Sequence, residues 1–247
     1  MSNILVVVPT CVRAPEFFDT ATLTLNHLRT GFPTTDVLVI DNGHISTSLK
    51  VHDKAKQVGG EYLRPAKPME HWQTIQKILG QRLPERVVFL DGDLVFFENC
   101  ENWVTTTGLT GMLIPEHRSY YSCCPTAARL HTSFLVVHTP FLHQEMEKSG
   151  AVPMHFMHFE AWKPQLIYTP DAARFYDTGA NLYQAVGGTP FTEQQLDSYA
   201  HIFCGSTPDY ANAFLPAGQQ SLLKSWHNLA LNCPDALRGN WRALKWN

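Results

Sequence analysis

The chain has 247 residues, 44% of them apolar and 17% charged, which suits one elaborated domain with a sizeable core and excludes disordered and fibrous classes. Nineteen Lys and Arg stand against 22 Asp and Glu, a formal net charge of −3, so there is no global basic footprint for a nucleic-acid backbone. The opening Met-Ser-Asn lacks a signal-peptide pattern and no apolar run approaches the roughly 18 residues of a membrane span, so a cytoplasmic protein without integral membrane association is expected.

Ile4-Leu5-Val6-Val7-Val8 is a continuous β-branched run closed by Pro9, the pattern of a strand covered on both faces. Pro15 then opens a segment with Phe18, Ala21, Leu25 and Leu28 on one face, closed by Gly31 and Pro33, which predicts a single amphipathic crossover helix. Val37-Leu38-Val39-Ile40 predicts a second strand ending in the turn residues Asp41-Asn42-Gly43. After Gly59-Gly60 and a proline-bearing loop, Met69, Trp72, Ile75, Leu79 and Leu83 define another helix, stopped by Pro84. Val87-Val88-Phe89-Leu90 is a buried strand that runs directly into Asp91-Gly92-Asp93 and a further apolar piece, residues 94–97.

Beyond about residue 115 the pattern loosens. Residues 112–114, 134–137 and 166–168 read as strands, helices are expected to begin near Asp177-Thr178 and Thr192-Glu193, and Gly187-Gly188-Thr189-Pro190 reads as a turn or a mobile loop. Strands alternating with helices predict an α/β fold with a mostly parallel sheet. The six cysteines (Cys11, Cys100, Cys123, Cys124, Cys204, Cys233) contain no Cys-x-x-Cys pair and are expected to be reduced and mostly packed.

Asp91-Gly92-Asp93 is the sharpest chemical signal. Period-two geometry sends both carboxylates to the same side of the chain, beyond a strand end where open α/β sheets bind ligands, and two carboxylates there suit Mg2+ or Mn2+ bridging to substrate phosphates. Asp41 closes the neighbouring strand, where a carboxylate can accept from a nucleobase or ribose, with Thr10 and Arg13 lining the adjacent loop; an ordinary Asx-turn explains the same residues. His71, Trp72, Gln73 and Lys77 follow the Gly59-Gly60 break where they can contact a ligand, although Trp72 also suits the helix core. Tyr120, Tyr121 and Trp162 offer stacking faces. His155 and His158, near Glu160, lack the residue order of zinc proteases.

These pieces resemble nucleotide-sugar glycosyltransferases of the GT-A fold, family-2-like. The matching segments are Val-Val-Pro-Thr10 with Arg13, Val-Leu-Val-Ile-Asp41-Asn-Gly and Val-Val-Phe-Leu-Asp91-Gly-Asp93, with Phe-Tyr-Asp177-Thr-Gly and His201-Ile-Phe-Cys-Gly-Ser extending the likeness. The resemblance implies a single GT-A-like (Rossmann-like) domain over 1–247, with a nucleotide-sugar-binding half (1–115) and an irregular acceptor-binding half (116–247). It implies Thr10, Arg13, Asp41 and Asp91 as donor-binding residues, and Asp91, Asp93 and His201 as ligands of Mn2+ or Mg2+. It implies Asp177 as the catalytic base of an inverting transfer, with Glu160 in reserve. The donor is then a nucleoside-diphosphate sugar and the acceptor hydroxyl belongs to a glycan, a protein or a modified nucleobase. Competing readings are a haloacid-dehalogenase-like phosphatase, which also uses Asp-x-Asp after a strand, and a non-catalytic nucleotide- or sugar-binding module.

Overall fold

The computed structural model describes residues 3–104, 107–118, 125–148, 165–168, 173–203 and 217–243. The strands at its centre are β1 (Ile4–Thr10), β2 (Asp36–Asp41), β3 (Glu61–Leu63), β4 (Arg86–Leu90), β6 (Leu109–Ile114), β9 (Arg129–His138) and β12 (Thr189–Pro190). They form one seven-stranded sheet in the order β12-β6-β9-β4-β1-β2-β3. β4, β1, β2 and β3 run parallel, β12 is parallel to β6, and β9 is antiparallel to both β4 and β6. The expected mostly parallel α/β sheet is therefore present.

The continuous apolar runs follow from burial on both faces. Val6, Val8, Val39, Val88 and Leu90 pack with Leu25, Leu28, Val51 and Ala55, whereas Val7, Ile40, Val87 and Phe89 pack on the opposite face with Ile75, Ile78 and Leu79. The first layer comes from α2 (Leu23–Gly31) and α3 (Ser48–Gln57), the second chiefly from α4 (His71–Leu79). Residues Glu70 and Gln73 close a reciprocal capping box at the start of α4, shortening the predicted helix at both ends, since Gly80 caps its last turn.

The helix predicted from Pro15 onward is broken. A 3-10 turn, Pro15–Phe17, leads into α1 (Phe18–Ala21), and the chain then departs from helical geometry at Thr22 before α2. The reason is tertiary: the Thr24 amide donates to the Gly92 carbonyl at 2.9 Å rather than continuing the helical ladder. Gly187-Gly188-Thr189-Pro190 is also not a free loop, because Thr189 and Pro190 pair with Thr110 and Gly111 as β12.

Two smaller sheets complete the described fold. One has β7 (His117–Arg118), β8 (Pro125–Thr126), β10 (Gln165–Tyr168) and β11 (Ala173–Tyr176) in the order β10-β11-β8-β7. The other pairs β5 (Leu94–Phe96) antiparallel with β13 (Tyr199–His201). The remaining helices are α5 (Thr139–Lys148), α6 (Ala180–Val186), α7 (Glu193–Asp197) and α8 (Ala217–Asn232). Thr192 caps α7 as its sequence predicts, accepting from the Gln195 amide. Leu223, Trp226 and Ala230 of α8 pack on Val95, Ala200 and Ile202, tying this helix to the β5–β13 pair.

Candidate metal centre

The carboxyl ends of β1, β2 and β4 lie side by side, because Thr10 is opposite Asp41 in the β1–β2 register. Their following loops run together: the Asn42 amide donates to Thr10 O at 2.8 Å and the His44 amide to Val12 O at 2.7 Å. Gly43 is needed for this approach, since a Cβ there would stand 2.7 Å from Val12 N. Asn42 carries the contact onward, donating from Nδ2 to Thr74 Oγ1 at 3.0 Å and accepting the Met69 amide at 3.1 Å. That fixes the start of α4, and with it His71.

Asp41 is enclosed. Its side chain is 0% exposed; Oδ1 accepts the Gly43 amide at 2.9 Å, while Oδ2 accepts Tyr62 OH at 2.8 Å and Arg64 Nη1 at 2.6 Å. Arg64 is 24% exposed and also donates from Nη2 to Gly43 O at 2.9 Å, so the guanidinium rather than the carboxylate faces outward at this edge. Thr10 is buried, its hydroxyl directed to Ile40 O at 3.4 Å, and Arg13 is exposed on the loop.

The Asp-Gly-Asp turn is clamped from two sides. The Asp91 amide donates to Ser133 O on β9 at 2.7 Å. On the other side the buried Thr24 hydroxyl donates to the Asp91 carbonyl and accepts the Leu94 amide at 2.8 Å. Gly92 sits against the break between α1 and α2, where a Cβ would fall 2.2 Å from Ala21 O. The helix interruption at Thr22 and the glycine thus serve one purpose, seating this turn against backbone. Thr24 carries no obvious catalytic signature in the sequence. Thr24→Val is expected to leave two buried backbone groups without their hydroxyl partner, each costing about 1–3 kcal/mol, and to weaken metal uptake; thermal unfolding and a Mn2+ titration check both effects.

His201 reaches the turn through the β5–β13 pairing, in which it lies opposite Leu94. Its Nε2 is 3.1 Å from Asp93 Oδ1 and 3.9 Å from Asp91 Oδ2. Ligating atoms of Asp91, Asp93 and His201 all lie within 4.8 Å of one another. The predicted trio is therefore assembled from two strand ends far apart in sequence. Asp93 and His201 are buried, while the Asp91 side chain is 25% exposed and forms the open side of the cluster.

Histidines line the rest of this site. His71 Nε2 stands 3.6 Å from Asp91 Oδ1 and 3.1 Å from Thr132 Oγ1. His131, which the sequence reading does not single out, lies with its ring centroid 5.3 Å from that of His201; its Nδ1 accepts the Ser133 amide at 3.1 Å. Accepting that N–H requires a lone pair on Nδ1, so the neutral ring carries its proton on Nε2. Burial pushes His131 well below the ordinary imidazole range, and the neighbouring His201, Arg129 and His71 act in the same direction.

Burial raises the Asp91 carboxyl, and Asp93 adds to this against the opposing influence of His71 and His201. Burial alone would lower His201, but the charge and hydrogen bond of Asp93, with the charge of Asp91, outweigh it and raise the imidazole. Two carboxylates and one imidazole converging in this way favour retained protons or a cation. The donor set, hard oxygens with one borderline nitrogen, fits a divalent ion such as Mn2+ or Mg2+.

Asp177 belongs to the neighbouring wall. Its Oδ2 accepts Arg129 Nη2 at 2.7 Å and its Oδ1 accepts the Thr178 amide at 2.7 Å, leaving the side chain 31% exposed. It does not cap α6; Gly179, at φ 84°, holds that position. Arg129 and His131 are two residues apart on β9 and share a face, so the strand joins Asp177 to the histidine cluster. Gln73 is used in the α4 capping box and Trp72 packs against the core. Glu160, His155, His158, Trp162, Tyr120, Tyr121, Cys123, Cys124 and Cys204 lie outside the described residues. The described cysteines are free: Cys100 is buried, Cys11 partly so and Cys233 exposed. Among the described residues no helix is long and apolar enough to cross a membrane.

No protein-family model and no curated protein matches the sequence. Among solved structures, the glycosyltransferase GlyE of Streptococcus pneumoniae TIGR4 is similar at 9% identity and a TM-score of 0.51, over 97% of this chain and 63% of GlyE. Its apo form gives the same identity and coverage at a TM-score of 0.50. The chain thus spans less than two thirds of GlyE's length. Mannosyltransferase PcManGT from Pyrobaculum calidifontis, in complex with GDP-Man and Mn2+, matches at 15% identity over 98% of this chain and 84% of its own, with a TM-score of 0.41. At 9% identity the likeness to GlyE is one of fold alone, and with the sheet order described above it gives the chain a GT-A-like α/β fold.

Proposed function

We propose that the chain is a metal-dependent glycosyltransferase that moves a sugar from a nucleoside-diphosphate sugar to an acceptor hydroxyl, with inversion. The observation that carries this reading is the convergence of Asp91, Asp93 and His201 within 4.8 Å at the carboxyl edge of a parallel sheet. These three residues would hold the ion, which when bound would supply stabilisation of the negative charge developing on the departing diphosphate. Thr10, Arg13, Asp41 and Asp91 form the donor side. Since Asp41 is enclosed, it acts there by holding Arg64 and the Gly43 loop in place.

In the acceptor half, Asp177 accepts the proton of the attacking hydroxyl as the new glycosidic bond forms and the anomeric carbon–phosphate oxygen bond breaks. Glu160 is the reserve base. The arrangement of nucleotide half (1–115) and acceptor half (116–247), the cytoplasmic setting and the choice between Mn2+ and Mg2+ belong to this proposal. The acceptor is a glycan, protein or modified-nucleobase hydroxyl.

A mass-spectrometric screen of nucleotide sugars with Mn2+ present tests the reading. One donor is expected to be consumed, releasing its nucleoside diphosphate, and chelation is expected to stop this. Inorganic phosphate released without an acceptor would instead indicate a phosphatase, and donor binding without turnover a binding module.

A further inference from the structure

A metal-bound histidine is usually oriented by a hydrogen bond from its second ring nitrogen to a carboxylate, carbonyl or water. His201 lacks that support: its Nδ1 is buried and makes no hydrogen bond to the described residues. Its ring is packed instead against Phe203, with centroids 3.8 Å apart and planes inclined at 38°.

Phe203 is held in an unusual backbone state. Among the described residues it is the one non-glycine residue with positive φ, 58°. For a bulky side chain this left-handed region costs roughly 1–3 kcal/mol, and it persists only where the surroundings enforce it. The enforcing contact comes from α8: His227 Nε2 donates to the Phe203 carbonyl at 2.6 Å. Trp226, one residue earlier, presents its ring 6.3 Å from that of Phe203. The helix is itself anchored on Val95 and Ala200, residues of the two strands whose pairing brings His201 to Asp93.

We propose that Phe203, locked in its left-handed turn by His227, is the positioning residue that aims His201 at Asp93, in place of the missing hydrogen bond at Nδ1. The C-terminal helix α8 thereby becomes part of the metal centre without supplying a ligand. This inference rests on the metal-centre reading given above, and the test separates the two.

The probe is Mn2+ alone, followed by calorimetry and by the electron paramagnetic resonance signal of the free ion. Phe203→Asn and Phe203→Gly both tolerate positive φ but remove the ring, so the turn survives while the stacking is lost. Both are expected to lower Mn2+ affinity about 10–100-fold, the range typical of outer-shell substitutions, and Phe203→Tyr is expected to restore it. His227→Ala leaves the ring but releases the turn, and should weaken affinity in the same direction. A purely structural role would lower thermal stability in step with affinity, so thermal unfolding is followed alongside, and a loss of Mn2+ affinity that only tracks the loss of stability also overturns the positioning role. Mn2+ uptake that is abolished by His201→Ala yet unchanged in Phe203→Asn, Phe203→Gly and His227→Ala overturns the positioning role and leaves the centre standing. Failure of Phe203→Tyr to restore affinity also overturns it, and absence of uptake by the unaltered protein overturns both readings.

Discussion

Asp93→Ala is expected to abolish Mn2+-dependent binding of the nucleoside diphosphate and to reduce glycosyl transfer by roughly 10²–10⁴-fold, the loss of several kcal/mol of Lewis-acid stabilisation. Asp93 is the pivot of the cluster, 6% exposed and 3.1 Å from His201 Nε2. Its removal therefore takes away one ligand and also the charge that draws His201 inward. Asp93→Asn separates these effects from packing, because the amide preserves volume and can still pair with the imidazole. Calorimetric titration of nucleoside diphosphate with Mn2+ and then with chelator reads the result. Equal affinity in the presence of chelator, or unaltered affinity in both variants, would remove the metal from the account.

What was legible in the sequence is what depends on local pattern. The runs at 4–8 and 87–90 read as buried strands because the sheet is covered on both faces, whereas the two carboxylates of Asp-x-Asp converge through a turn after β4 and not by the period-two geometry expected of an extended segment. What was not legible depends on partners distant in the chain. The break at Thr22 exists because Thr24 bonds to the Asp-Gly-Asp turn, a partner about seventy positions away that no helical pattern contains. Asp41 looks outward-facing until Tyr62 and Arg64 close over it from β3 and the loop beyond, and β3 has only three residues. His201 was a candidate by resemblance, but its approach to Asp93 depends on the three-residue strand β13, too short to carry a periodic signal. By contrast, α8 was legible in principle: Leu223, Trp226 and Ala230 stand at helical spacing and are the residues that pack.

In the proposed mechanism the metal trio accounts for departure of the diphosphate but not for the fate of the acceptor proton, and Asp177→Asn addresses that second half. Transfer is expected to fall about 10²–10⁴-fold, the usual contribution of a positioned general base, while donor and Mn2+ binding stay as in the unaltered protein. The substitution must be distinguished from damage to the wall, because Asp177 pairs with Arg129, whose side chain is only 8% exposed. The guanidinium and the Thr178 amide use different oxygens of Asp177, and asparagine has a single acceptor oxygen, so it keeps one of the two contacts; the loss of stability should still be smaller than the penalty of removing the partner outright. Single-turnover transfer at saturating donor, with thermal unfolding alongside, resolves the two: a base mutant loses the chemical step with its fold intact. The anomeric configuration of the product supplies an independent reading, since in-line attack assisted by Asp177 must invert it. Unchanged single-turnover transfer would take Asp177 out of the mechanism and make Glu160→Gln the next substitution to measure, whereas a retained configuration would void the in-line scheme itself.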